Sequence, residues 1–193
     1  TPTLTDKIVT FLFQKSFFML LKLFWRLEIK GRENLPDSGP YLICPNHASY
    51  LDGLAVGMSL PYNTELSTFF LGYTAYFEHP LASWGIKPGR LIPIDPSTNL
   101  DDALKAASYV LRNKKILCIF PSGRRSIDGS VQDFKKGAGI LGLELDVPLV
   151  PVYIKGSYDA WPRGRAFPRC GKISVMFGRA LEVKKLLDKE SRD

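Results

Sequence analysis

The sequence predicts an α/β domain: a single central sheet, mostly parallel or mixed, flanked by helices and preceded by an amphipathic N-terminal helix. Three observations carry this. Short apolar runs bounded by turn residues alternate with segments of helical periodicity, the pattern of strands joined through covering helices. The chain has 193 residues, 45% of them hydrophobic and 23% charged, enough for one domain with a substantial core. The first 27 residues have a different texture from the rest, apolar and aromatic with few charges.

Residues 8–27 hold Phe11, Phe13, Phe17, Phe18, Phe24 and Trp25 among several leucines, and their cations are Lys15, Lys22 and Arg26. At about 100° per residue the three cations fall within roughly 40° of one another on a helix, leaving a wide apolar circumference. Such a helix suits a membrane interface; the alternative is a helix packed on the domain core. Residues 1–27 are read as a membrane-associating helix and residues 28–193 as the domain behind it. No apolar run reaches the roughly 18 residues of a spanning helix. The expected location is therefore peripheral, on the cytosolic face of a membrane.

After this helix, residues 26–30 and 41–44 read as short strands around a turn at 31–40 rich in Gly, Pro, Asn and Asp. Residues 51–60 read as a helix, and 68–71 and 91–94 as buried strands. Residues 99–112 are helical, with Leu100, Leu104, Ala107 and Leu111 at helical spacing. A strand at 116–120, a helix at 136–145, a strand at 149–154, a late strand at 172–177 and a short helix at 181–187 complete the domain. In open parallel sheets, sites form beyond the carboxyl ends of strands. The chemistry is expected after Cys44, Ile94, Phe120 and Ile154.

The formal net charge of +7 matches a phosphate-bearing partner: an anionic membrane, a charged substrate or a nucleic acid. The basic residues are scattered among apolar strands and no nucleic-acid motif appears, so no nucleic acid is expected as partner. Cys44, Cys118 and Cys170 are odd in number and lack metal-ligand spacing. They point to a reducing compartment and to no metal site.

The loop after Cys44 reads Pro45-Asn46-His47-Ala48-Ser49-Tyr50-Leu51-Asp52. An imidazole accepts a proton near neutral pH, and a carboxylate on its other nitrogen fixes the tautomer and stabilises the imidazolium. Five residues apart on one ideal helix, the two side chains would face about 140° away from each other. They meet if His47 sits in the turn before the helix, which Pro45 and Asn46 favour, with Asp52 in the first helical turn. The alternative is a loop histidine beside an N-capping aspartate.

Together with three later segments, this loop resembles the glycerolipid acyltransferases, the family that includes 1-acylglycerol-3-phosphate acyltransferase. The family's Asn-His-x4-Asp is matched by Asn46, His47 and Asp52. Its second block is approximated by Gly89-Arg90-Leu91-Ile92-Pro93-Ile94-Asp95-Pro96. Its third, Phe-Pro-Glu-Gly-Thr-Arg-Ser, is close to Phe120-Pro121-Ser122-Gly123-Arg124-Arg125-Ser126. Its fourth matches Val150-Pro151-Val152-Tyr153-Ile154. The resemblance implies transfer of an acyl group from acyl-CoA or an acyl carrier protein to a lysophospholipid, with His47 as base and Asp52 as its orienting partner. No cofactor is implied beyond the acyl donor, which is a substrate. Asn46, Arg90, Ser122, Gly123, Arg124 and Arg125 are the expected substrate contacts, the last two because a guanidinium suits bidentate contact with phosphate.

Two positions depart from the family pattern: Ser122 replaces its Glu, and Pro96 an Arg that often closes the second block. The expected consequence is a looser hold on the third-block arginines. The stretch Phe134-Lys135-Lys136-Gly137 offers cations and amides to an anion, or is only a solvated helix start. The loop Trp161-Pro162-Arg163-Gly164-Arg165 lies at the membrane, over the substrate, or on a plain surface. His79 receives no role. Two other functions compete. One is a serine lipid hydrolase built on Ser122, although Pro121-Ser122-Gly123 lacks the Gly-x-Ser-x-Gly elbow. The other is a catalytically weak lipid-binding membrane module.

Overall fold

The computed structural model describes residues 3–73, 90–94 and 100–190. Seven strands form one sheet: β1 (Glu28–Lys30), β2 (Tyr41–Pro45), β3 (Thr68–Tyr73), β4 (Leu91–Ile94), β5 (Ile116–Cys118), β6 (Leu149–Lys155) and β7 (Ser174–Phe177). Their order across the sheet is β1-β7-β6-β2-β5-β3-β4. Every neighbouring pair is parallel except β6 and β7, which run antiparallel. The helices are α1 (Leu4–Trp25), α2 (Asp52–Ser59), α3 (Tyr62–Glu65), α4 (Leu100–Arg112), α5 (Gly137–Glu144), α6 (Ser157–Ala160) and α7 (Val183–Glu190).

β2 is central and buried along its whole length. Because side chains alternate across a strand, it supplies both halves of the core. Tyr41 and Ile43 join Val150, Val152, Val175, Ala55 and Leu21 on one face, under α1 and α2. Leu42 and Cys44 join Leu117, Ala107, Leu111 and Leu141 on the other, under α4 and α5. Covered on both faces, the inner strands read as continuous apolar runs.

The N-terminal helix packs one side on the domain core, as the second alternative had it, and leaves the other side exposed. Phe13, Phe17, Phe18, Leu21 and Trp25 pack on the core, and Gln14 donates to the Leu60 carbonyl. Leu12, Met19 and Leu23 on the outer side are 58%, 69% and 74% exposed. The helix stops at Trp25 because Arg26 turns to a positive φ of 43°, which an α-helix does not accommodate. Arg26 therefore falls outside the basic stripe expected of it. Of the expected stripe, Lys15 and Lys22 remain on the helix, each near a ring of its own helix, Phe11 and Phe18. Among the described residues, no helix is long and apolar enough to cross a membrane.

The strand at 116–120 is shorter than expected and ends at Cys118. The late strand begins at Ser174 rather than 172, and the last helix spans Val183–Glu190. α3 and α6, four residues each, lie where no helix was expected. His79, Gly89, Asp95, Pro96 and Asn99 lie outside the described residues.

Candidate active site

β2 is flanked by β5 and β6, both parallel to it. The carboxyl ends of three adjacent strands therefore open on one edge of the sheet, and the loops after them converge. Three of the four expected site segments meet there. The fourth follows β4 at the far edge of the sheet, and its residues after Ile94 lie outside the described residues.

His47 sits in the turn before α2 and Asp52 is the first residue of that helix. His47 Nδ1 lies 2.8 Å from Asp52 Oδ2. The same oxygen accepts the backbone N–H groups of Ala48 at 2.6 Å and Ser49 at 2.7 Å. Asp52 is fully buried, whereas the His47 side chain keeps 22% of its exposure. Two backbone amides already donate to that oxygen, which as a carboxylate oxygen can only accept. The third donor is then Nδ1–H, and the neutral ring keeps its lone pair on Nε2. Phe120 leaves the sheet after β5 and stacks on the imidazole, ring centroids 4.0 Å apart and planes at 24°.

Asn46 is a splint. Its amide nitrogen donates to the Ile154 carbonyl at 3.1 Å and its amide oxygen accepts Ile154 N–H at 2.7 Å. With Asn46 N–H donating to Val152 O, the side chain continues the β2–β6 ladder past the end of β2. It is buried, and both ends of its amide are engaged by Ile154 of β6.

The third block is fastened to the first by the Ser126 N–H, which donates to the His47 carbonyl at 2.8 Å. Gly123 adopts a left-handed φ of 69°, and a Cβ there would meet the Lys135 Nζ at 3.0 Å. Lys135 N–H donates to Pro121 O, so the stretch before α5 lies over this turn and brings a cation with it. Ser122 is buried, and its hydroxyl donates to the Arg124 carbonyl at 2.9 Å. It closes its own turn instead of meeting the imidazole. Arg124 is exposed and its Nε donates to Gln132. Arg125 is buried, its Cζ 3.6 Å from the centroid of the Tyr50 ring. Asp128 lies just beyond, accepting from Ser130 and Ser126; these bonds hold its carboxyl down at about 2.

Arg90 belongs elsewhere. It precedes β4, so it sits toward the amino ends of the strands, three strands from β2. Its guanidinium lies 5.8 Å from the Phe69 ring centroid. It also acts electrostatically on buried Glu65, whose carboxyl desolvation pushes up to about 7 against the opposing effect of Arg90. A residue before a parallel strand lies on the edge opposite the loops that form sites, so the fold does not bring Arg90 to His47 and Asp52.

The loop beginning at Trp161 packs on the first block. Trp161 O accepts both Tyr50 N–H and Ser49 Oγ, and Ser49 pairs with Pro162 in an isolated bridge. Tyr50 and Trp161 were not among the expected site residues. An aromatic inside the catalytic loop was the available signal for Tyr50. Beside Ala48, a cleft of about 250 Å³ opens toward Lys155, Ser157 and Tyr158. Its polar walls do not suit an acyl chain. Among the described residues, no group of three or more His, Cys, Asp or Glu side chains is arranged to hold a metal ion.

Comparison with known proteins bears on the family and the fold. Residues 26–155 match the family model described as Acyltransferase. The chain is 32% identical over 148 residues to the chloroplastic 1-acyl-sn-glycerol-3-phosphate acyltransferase BAT2 of Brassica napus, covering 73% of this chain and 40% of that protein. It is 30% identical over 151 residues to the 1-acyl-sn-glycerol-3-phosphate acyltransferase of Saccharomyces cerevisiae, covering 74% of this chain and 48% of that one. It thus spans less than half the length of either relative. Among solved structures it resembles the 1-acyl-sn-glycerophosphate acyltransferase PlsC from Thermotoga maritima, with a TM-score of 0.72 and 25% identity over 89% of this chain and 69% of that one. The chain belongs to the acyltransferase family.

Proposed function

We propose that this protein transfers a fatty acyl group from a thioester donor, acyl-CoA or an acyl carrier protein, to the free hydroxyl of a lysophospholipid such as 1-acyl-glycerol-3-phosphate. The observation that carries the reading is the His47–Asp52 pair at 2.8 Å, its carboxylate buried and held by two backbone amides. The names of the relatives in Brassica and yeast support the acceptor class.

In the proposed reaction His47 Nε2 removes the proton of the acceptor hydroxyl as that oxygen attacks the thioester carbonyl. The tetrahedral intermediate collapses with cleavage of the C–S bond, and the departing thiolate takes the proton from His47. Asp52 holds the ring and stabilises the imidazolium throughout. Arg125, near His47 through the Ser126–His47 backbone bond, is the contact for the acceptor phosphate, with Lys135 and Arg124 adding positive potential. The steps need no cofactor besides the donor.

The outer side of α1 supports attachment to the cytosolic surface of a membrane, where both lipid acceptor and product reside. Leu12, Met19 and Leu23 lie within about 40° of one another on the helix, and Lys15 and Lys22 flank that stripe on one side. Cations beside an apolar face suit an interface rich in anionic lipid.

The decisive experiment supplies labelled acyl-CoA and acyl carrier protein with a panel of lysolipids and identifies the products by mass. Labelled diacyl product that disappears in His47→Ala is expected. Release of free fatty acid dependent on Ser122 would instead establish the hydrolase. Lysolipid binding with no product from either donor would leave a lipid-binding module.

A further inference from the structure

Tyr50 stands between His47 and Asp52 in sequence, and three contacts fix it. Its N–H donates to Trp161 O at 3.2 Å. Its ring lies 5.3 Å from the Trp161 ring, planes at 47°. The guanidinium carbon of Arg125 sits 3.6 Å from its centroid. Trp161 is itself anchored, since its Nε1 donates to Arg165 O at 2.9 Å and its carbonyl accepts Ser49 Oγ at 2.8 Å. Guanidinium, phenol and indole therefore form one contiguous cluster, tied at both ends to the backbone that carries the base.

A guanidinium lying on an aromatic face is attracted by the ring quadrupole without using any of its N–H donors. Those donors lie in the guanidinium plane, and a phosphate is bound by two of them along an edge. Fixing the plane therefore fixes where a phosphate will sit. It also removes, before binding, rotamer freedom that a long side chain would otherwise lose on binding. At 7% exposure, Arg125 has little room to seek another geometry.

We propose that Tyr50 is a positioning residue for the phosphate of the acceptor. Its ring sets the plane of the Arg125 guanidinium, and the bound phosphate in turn sets the distance from the acceptor hydroxyl to His47. This rests on the proposed transfer to a lysophospholipid.

The test compares Tyr50→Phe, which keeps the aromatic face, with Tyr50→Leu and Tyr50→Gln, which remove it. Direct binding of a short-chain 1-acyl-glycerol-3-phosphate is measured alongside steady-state transfer, with a monoacylglycerol as the acceptor lacking phosphate. For Leu and Gln, weaker binding and a KM raised roughly 2- to 30-fold are expected on the phosphate acceptor, with kcat within about twofold. Phe should behave as the parent, the neutral acceptor should be unaffected, and in an Arg125→Ala background the Leu change should add nothing. A folded Leu or Gln variant that binds the phosphate acceptor like the parent overturns the proposal. So does an equal loss on both acceptors, failure of Phe to restore the parent values, or full additivity with Arg125→Ala. A parent that binds the phosphate acceptor but transfers no acyl group overturns the acyl-transfer reading alone, and the binding measurements still decide Tyr50. A parent that does not bind it overturns both.

Discussion

Replacing Asp52 by Asn removes one charge from the catalytic pair and little else, which makes its cost calculable. Oδ2 accepts three N–H groups, from His47, Ala48 and Ser49, while Oδ1 is buried with no hydrogen-bond partner. An Asn with its carbonyl oxygen in the place of Oδ2 still accepts all three, so the turn keeps its shape. Its NH₂ then occupies the unpartnered position, at a stability cost of about 1–3 kcal/mol. What is lost is the negative charge facing Nδ1–H, whose hydrogen bond strengthens as the ring becomes imidazolium. A hydrogen bond to a charged group contributes about 1.5–3 kcal/mol, and 1.36 kcal/mol is a factor of ten in rate. The expected fall in kcat is thus roughly 10- to 150-fold, with the acceptor KM little changed because Asp52 is buried behind the histidine. His47→Ala should cost roughly 10²–10⁴-fold. Because Asp52 acts through His47, the double variant should be no slower than His47→Ala. The assay is steady-state acyl transfer on variants whose circular dichroism and melting are matched to the parent. A folded Asp52→Asn protein with kcat within twofold of the parent would refute the orienting role. So would a double variant slowed by the product of the two single effects.

Three further outcomes follow from groups outside the pair. Burial pushes the Cys44 thiol up to about 12 and raises the Cys118 thiol well above its ordinary range, whereas Cys170 is exposed; one thiol should react quickly with a disulfide reagent at pH 8 in the native protein and three after unfolding, and three fast native thiols would show that the thiols of the inner strands are reachable. Burial raises the Glu65 carboxyl to about 7 from an ordinary 4.5, so its folding penalty is absent below about pH 4.5, grows through pH 7 and is complete above it. Glu65→Gln should therefore gain stability over the parent only as pH rises, by up to about 3 kcal/mol at pH 8, and a difference in melting constant from pH 4 to pH 8 would contradict this. Changing Leu12, Met19 and Leu23 together to Gln should weaken binding to anionic vesicles with the fold retained, and changing Lys15 and Lys22 to Gln should remove the salt-sensitive part, since each cation near such a surface contributes about 1 kcal/mol. Parent-like vesicle binding by both would place the membrane contact elsewhere on the protein.

The strands were legible because the inner ones are apolar on both faces, and a run such as Tyr41–Pro45 has no amphipathic alternative. The helix end at Trp25 was not, because nothing in Arg26 itself announces a positive φ. That one backbone conformation takes a cation out of a stripe that periodicity alone had drawn. The spacing with the turn-forming Pro45 and Asn46 allowed the His47–Asp52 pairing but left a loop histidine beside an N-capping aspartate equally open, and it was the family resemblance that favoured the pair. The work of Asn46 was hidden, since the same amide serves a substrate or a neighbouring strand, and only the β2–β6 register decides between them. The separation of Arg90 from the His47 edge was not legible, because a motif gives order along the chain but not the end of the strand at which a residue sits. Tyr50 was passed over because its partners, Arg125 and Trp161, are 75 and 111 residues away in sequence, brought to it by the convergence of three loops.

The departure at Ser122 takes on a different meaning once those loops are in place. From the sequence alone, losing the family's Glu should free the arginines of the third block. In the fold they are restrained by other means. Arg124 is held by Gln132, and Arg125 lies on Tyr50 in a loop whose Ser126 N–H is bonded to the His47 carbonyl. Ser122 supplies a bond to the Arg124 carbonyl that closes the turn carrying both. The restraint on Arg125 thus passes from a neighbour in its own block to an aromatic ring in the first block, two residues before Asp52. Coupling between positions 50 and 125 should accordingly be strong and coupling between 122 and 125 weak. Double-mutant cycles on acceptor binding measure both: Tyr50→Leu with Arg125→Ala, and Ser122→Ala with Arg125→Ala. A larger coupling for the second cycle would show that the turn, and not the ring, holds the arginine.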